Sequence, residues 1–313
     1  MSAARKTAVV FPGQGSQRPG MARDFHERFS AAREVFAEAS DALGLDVAAL
    51  CFEESDRLDL TEYTQPAILT AEIAMFRVLA GEMGLAADVF GGHSLGEYTA
   101  LCAAGAMPLD VAVKLVRRRG ALMQAAVPAG EGAMTAVSGP GVAALDVRAA
   151  LDALGVDLAN LNSPDQVVLS GPAGALDGAC ARFREIAAGI ATELTPLSVS
   201  APFHSRAMRT IEPAFRAALD EMAPRLRSES AAHVTSNFRG AFHGGVAADL
   251  LEALERQIGG TVDWVANMRA LAGAADVFFE IGPSRPLRGF FKAVGIEVAS
   301  ITSLKTAERA LTA

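Results

Sequence analysis

Ser94 stands at the centre of Gly92-His93-Ser94-Leu95-Gly96-Glu97, a Gly-x-Ser-x-Gly sequence. A serine hydroxyl in this setting is suited to attack acyl groups, provided that a base takes its proton and N–H groups hold the developing oxyanion. The flanking glycines permit a turn too tight for a Cβ. The same pattern also describes a glycine-rich strand-to-helix connection with no chemistry, so its partners must decide. The base is sought among five histidines. His26 falls on the polar side of a helical pattern, the elbow turns His93 away from Ser94, and His233 and His243 have no local pattern around them. His204, in Pro202-Phe203-His204-Ser205 before a helical stripe, can be held rigidly over a cleft; a buried, hydrogen-bonded histidine is the alternative. Arg117, Arg118 and Arg119 are consecutive. Helical neighbours are about 100° apart, so at least one must face the protein or a cleft, unless the stretch is simply solvated.

The elements that position these residues read as α/β. Thr7–Phe11 is a continuous apolar strand that runs into the polar loop Pro12-Gly13-Gln14-Gly15-Ser16-Gln17. The loop lacks both a P-loop lysine and the dinucleotide fingerprint. Helical patterns cover about 21–43, 65–84 (opened by Pro66) and 108–124, and a strand over 88–91 feeds the elbow. After Pro128 the pattern changes: strand 132–137, helix 142–154, strands 158–162 and 166–170, helix 173–188 and strand 192–197. Strand–helix–strand–strand–helix–strand is the ferredoxin-like order. The expected organisation is a large domain of residues 1–128 and 199–313, with 129–198 as an inserted subdomain. In the second part of the large domain, strands are expected at 233–237, 276–281 and 297–301, and helices at 247–258 and 262–271.

Composition excludes several classes. Hydrophobic residues make up 51% and charged residues 20%, enough for a sizeable core. A net charge of −8 argues against nucleic acid as a partner. Cys51, Cys102 and Cys180 lie far apart without metal-ligand spacing, which predicts free thiols, no metal site and a reducing compartment. No segment approaches a signal-peptide core or a membrane span, so a cytoplasmic protein without membrane contact is expected.

Several short motifs occur together: Phe11-Pro12-Gly13-Gln14-Gly15-Ser16-Gln17, Thr64-Gln65-Pro66-Ala67, the elbow, Arg119-Gly120 with Met123-Gln124, Asn162-Ser163-Pro164 with Gln166-Val167-Val168, Phe203-His204-Ser205 and Glu280-Ile281-Gly282-Pro283. In this order they resemble the malonyl-CoA:acyl-carrier-protein transacylase family, which includes discrete acyltransferases of polyketide synthases. The match runs from Phe11 to about Leu287.

The resemblance implies an α/β-hydrolase-like core with a parallel sheet plus the inserted ferredoxin-like subdomain. It implies that Ser94 and His204 are catalytic, that backbone N–H groups of Gln14 and Leu95 form the oxyanion hole, and that the Gln257 backbone carbonyl orients the histidine. Gly259-Gly260-Thr261 departs from the family pattern near Gln257. Arg119 would pair with the free carboxylate of malonate, and Phe203 would limit room beside it, leaving Arg117 and Arg118 solvated. Malonyl-CoA would be the substrate, with no bound cofactor. An acyl carrier protein would be the partner, carrying phosphopantetheine and docking on Arg206, Arg209 and Arg216 or on Arg285, Arg288 and Lys292. A monomer is expected. The rival readings are an acyl hydrolase of the same fold that edits carrier proteins, an ordinary α/β-hydrolase esterase and a catalytically silent docking subunit.

Overall fold

The computed structural model describes residues 5–199 and 201–312; Ser200, beside the expected domain boundary, lies outside them. In chain order the strands are β1 (Thr7–Phe11), β2 (Val89–Gly92), β3 (Gly132–Ser138), β4 (Asp157–Ser163), β5 (Gln166–Pro172) and β6 (Glu193–Pro196). They continue with β7 (Thr235–Ser236), β8 (Ala241–Phe242), β9 (Val262–Asp263), β10 (Val277–Ile281) and β11 (Ala299–Ile301).

A parallel sheet runs in the order β11-β10-β1-β2. Ala8, Val9, Val10 and Phe11 are wholly buried, which is why β1 is apolar on both faces. Its partner β2 ends at the elbow, so Ser94 stands at the carboxyl end of a parallel strand, where such sheets bind ligands. The helices Thr61–Glu82, Leu95–Ala103 and Leu109–Ala125 pack against one another, the first two also on this sheet, and most of their residues are buried.

The second sheet has the order β6-β3-β5-β4-β9. Strands β3 to β6 are joined in antiparallel pairs and interleaved with the helices Arg148–Asp152 and Ala173–Ile186. Val137, Leu151, Leu169 and Phe183 anchor a core separate from the main one. The edge strand β9 comes from much later in the chain and pairs in parallel with β4, so this sheet is also tied to the segment that follows Gln257.

Several expected elements differ. The pattern over 21–43 is two helices, Arg23–Arg28 and Ser30–Leu43, because Phe29 is extended (φ −117°, ψ 135°), closing one and opening the next. The helix containing Pro66 begins a turn earlier, at Thr61. The pattern over 142–154 yields a 3₁₀ turn and the short helix Arg148–Asp152, because Leu145 between them is extended. Val262 and Asp263 are strand, and the Asp263 side chain caps the helix Trp264–Ala272 by accepting from the Ala266 N–H. The stretch expected as strand 233–237 reduces to β7, although Val234 still bridges Phe90 in parallel beside β2.

Candidate active site

The elbow is built around a strained serine. Ser94 has φ 53° and ψ −103°, a backbone state rarely adopted outside glycine. Two glycines make it fit. A Cβ on Gly92 would lie 1.9 Å from the Gly96 carbonyl carbon, and one on Gly96 would lie 2.1 Å from the Phe11 carbonyl oxygen. Asn237 braces the turn from outside: its Oδ1 accepts from the Ser94 N–H, while its Nδ2 donates to the Gly92 carbonyl at 2.7 Å and to Asn267 Oδ1 at 3.0 Å.

Across the cleft, His204 Nε2 lies 2.7 Å from Ser94 Oγ, and Nδ1 lies 2.9 Å from the Gln257 backbone carbonyl. A carbonyl can only accept, so Nδ1 carries the proton and Nε2 faces the serine hydroxyl as an acceptor. His204 is buried, with φ 55°. Burial, and next the charge of Arg119, pull its pKa down to about 3 against the opposing pull of the Gln257 carbonyl. The ring is therefore neutral at pH 7 and able to accept a proton at Nε2. Gly259 and Gly260 follow Gln257 where space is short: a Cβ on Gly259 would lie 2.6 Å from Arg209 Cγ, and one on Gly260 2.6 Å from the Arg256 carbonyl oxygen.

Arg119 is only 1% exposed. Its Nη1 donates to Gln65 Oε1 at 2.9 Å, and its Nη2 donates to Gln257 Oε1 at 3.0 Å and to Ser94 Oγ at 3.1 Å. The guanidinium carbon lies 5.4 Å from the centre of the Tyr98 ring. Among the described residues Arg119 forms no ion pair, although an unpaired buried cation is costly. Its neighbours divide otherwise than expected. Arg118 is exposed, but Arg117 is half-buried, bonded to Glu62 and to the Leu43 carbonyl rather than simply solvated.

Leu95 opens the elbow helix, so its N–H has no acceptor within that helix. The Pro12–Gln17 loop presses on the elbow: a Cβ on Gly13 would lie 2.5 Å from the His93 carbonyl oxygen. Gln14 is held in that loop by a bond from its Nε2 to Thr61 Oγ1 at 3.1 Å. Phe203 is buried immediately before His204. His93 turns away from Ser94 and bonds Asn162 Oδ1 at 2.8 Å; burial lowers its pKa to about 4.

A serine hydroxyl, a neutral imidazole and a cation without an ion pair, held together in this way, could support transfer of an acyl group that bears an acid. Residues 8–287 match a family model described as the acyl transferase domain. The malonyl CoA-acyl carrier protein transacylase of Bacillus subtilis (strain 168) is 38% identical over 319 residues, covering 98% of this chain and 96% of that protein. The chain belongs to the acyl transferase family. The crystal structure of the malonyl CoA-acyl carrier protein transacylase from Clostridium perfringens superposes with a TM-score of 0.87 at 33% identity, over 98% of this chain and 96% of the other. A malonyl-transacylase in complex with its type II PKS acyl-carrier protein gives a TM-score of 0.87 at 33% identity, over 98% and 99% of the two chains.

In this acyltransferase, sequence reasoning missed the residues behind the first contacts. Gln65 lay within a noted motif without a role; it holds Arg119. The resemblance assigns Gln257 only its backbone carbonyl, yet its side chain binds Arg119, the Ser94 carbonyl and Glu97. Asn237 carried no local signal. His243, discounted as a base, is buried against Glu97 at 3.0 Å.

Proposed function

We propose that this acyltransferase moves a malonyl group from CoA to the phosphopantetheine thiol of an acyl carrier protein by way of an ester on Ser94. In the first half-reaction Ser94 Oγ attacks the thioester carbonyl while His204 Nε2 takes its proton. The N–H groups of Gln14 and Leu95 hold the oxyanion. Collapse breaks the C–S bond, and the proton on His204 passes to the CoA sulfur. In the second half-reaction the carrier's thiol attacks the ester, His204 takes the thiol proton, and the proton returns to Ser94 as its C–O bond breaks. The Gln257 carbonyl keeps the imidazole oriented throughout.

The observation that carries the choice of acid is Arg119, a buried guanidinium without an anionic partner that touches the nucleophile at 3.1 Å. The free carboxylate of a malonyl group would supply the missing charge in bidentate form, whereas an acetyl group would leave the cation desolvated and unpaired. Phe203, buried beside His204, would limit branching next to that carboxylate.

For the carrier protein, the reading favours the helix Pro286–Ala293. Arg285, Arg288 and Lys292 are exposed there, without ion pairs among the described residues, and Phe290 lies 6.3 Å from the His93 ring. In the other candidate set, Arg206 is engaged by Asp152 and Asp157, and Arg216 by Asp220 and Glu255. A reducing, cytoplasmic setting belongs to the same reading and accords with the free thiols Cys51, Cys102 and Cys180. The protein would act as a monomer and without a bound cofactor.

Intact-mass measurement after incubation with a panel of acyl-CoAs tests the reading. A malonyl adduct should form rapidly on the native protein, clear on addition of carrier-protein thiol, and be far weaker with acetyl-CoA. An equal response to both acyl groups would overturn it.

A further inference from the structure

We propose that Glu97 is a specificity-positioning residue, which acts through the Gln257 amide to aim Arg119 at the acid end of the substrate. This rests on the malonyl-transfer reading above.

Glu97 is wholly buried near the start of the elbow helix. Both of its oxygens face donors. Oε1 lies 3.0 Å from His243 Nε2, while Oε2 accepts from the Asn237 N–H at 2.9 Å and from Gln257 Nε2 at 2.7 Å. The same Gln257 NH₂ group gives its second hydrogen to the Ser94 carbonyl at 3.0 Å. An amide has a donor end and an acceptor end, and it can be turned over at little steric cost. Here the two acceptors around its nitrogen settle the orientation, so Gln257 Oε1 must face Arg119 Nη2. Glu97 thus sets the polarity of a relay, carboxylate to amide to guanidinium, ending 3.1 Å from the nucleophile. His243 completes it by giving Glu97 Oε1 a donor that fixes the rotamer of the carboxylate.

The isosteric change Glu97→Gln offers Gln257 a partner that can both donate and accept. The Gln257 amide can then turn, presenting NH₂ to a cation that is itself all donor. Arg119 then keeps its Gln65 contact on Nη1 but loses the acceptor that aims Nη2. The backbone carbonyl that orients His204 is untouched, so the base remains in place.

The test is the ratio of kcat/KM for malonyl-CoA to that for acetyl-CoA, measured on native protein, E97Q, R119A and E97Q/R119A. Each variant is first checked for a cooperative thermal transition. For E97Q we expect the ratio to fall about tenfold, mainly through KM for malonyl-CoA, with acetyl transfer little changed. In the Arg119→Ala background, Glu97→Gln should leave the ratio unaltered. A folded E97Q with the native ratio, equal losses on both substrates, or additive effects in the double variant would each overturn the proposal. If E97Q does not fold, Gln257→Met reads the same link while keeping the backbone carbonyl, and an unchanged ratio there is equally fatal. Failure of the malonyl-transfer reading looks different: the native protein itself would then show no malonyl preference.

Discussion

Arg119 donates through Nη2 to Ser94 Oγ at 3.1 Å, so the group proposed to read the acid and the atom proposed to form the ester are in direct contact. The cation is therefore not a distant anchor. It lies within one acyl group's length of the reacting centre, and its charge is felt by His204 as well. In the proposed function, selectivity and reactivity would be linked through this one side chain.

Removing the guanidinium should erode the malonyl preference. Arg119→Ala is expected to lower kcat/KM for malonyl-CoA relative to acetyl-CoA by about 2 kcal/mol, roughly thirtyfold, the worth of a charge-assisted hydrogen-bonded contact. Steady-state competition between the two thioesters measures it. A preserved ratio would remove Arg119 from acid recognition.

Ser94→Ala should yield no covalent adduct at any incubation time. His204→Ala should still form one, slowed by roughly 10²–10⁴-fold, because the oxyanion donors remain when the base is gone. Time-resolved intact mass separates the two, and an adduct on the Ser94→Ala protein would place the nucleophile elsewhere.

The pH dependence follows from a depressed histidine. An ordinary imidazole near 6.5 would produce an acid limb in that region, but His204 is held at about 3 by burial and by Arg119. Plotted against pH, kcat/KM for malonyl-CoA should therefore run flat through 6.5 and fall only at much lower pH. Stability responds in the same sense. His204 and His93 stay neutral in the fold down to about 3 and about 4, while the unfolded chain takes up protons near 6.5. Stability present above 6.5 is thus lost as pH falls toward those folded values. A catalytic acid limb centred near 6.5 would contradict the burial of His204.

Gly96→Ala should damage folding before it damages chemistry. The new methyl carbon would meet the Phe11 carbonyl oxygen at 2.1 Å and that of Pro12 at 2.8 Å, both rigid backbone. A loss of about 3 kcal/mol or more is expected from overpacking at a site that cannot yield. Urea denaturation gives the number. A neutral effect would mean that the elbow is looser than its contacts imply.

Much of the site was legible one residue at a time. Ser94 between spaced glycines after an apolar strand spells an elbow because strand, turn and helix are local events, each settled by a few neighbouring residues. Helical geometry left the three consecutive arginines either solvated or with one turned inward, and Arg119 is the one that is buried. The alternation of elements in 129–198 predicted a ferredoxin-like subdomain, and β3 to β6 form a sheet of their own there. Local pattern failed where a break depended on packing. Phe29 interrupts a periodic stretch because an extended residue there lets two short helices bury their faces separately. Val262 follows a helix in sequence, but strand β4 was waiting beside it.

What the sequence by itself determined is the inventory: a serine in a tight glycine-flanked turn, a histidine after Phe203 and three consecutive arginines. Only the tertiary structure decided which groups meet. Gln257, Glu97, Asn237 and His243 are joined in one network over separations of up to 160 residues. A hydrogen bond of that span leaves no periodicity behind, since the chain between its ends imposes no spacing. The direction of the Gln257 amide, and with it the acceptor offered to Arg119, is settled by what surrounds its nitrogen after folding.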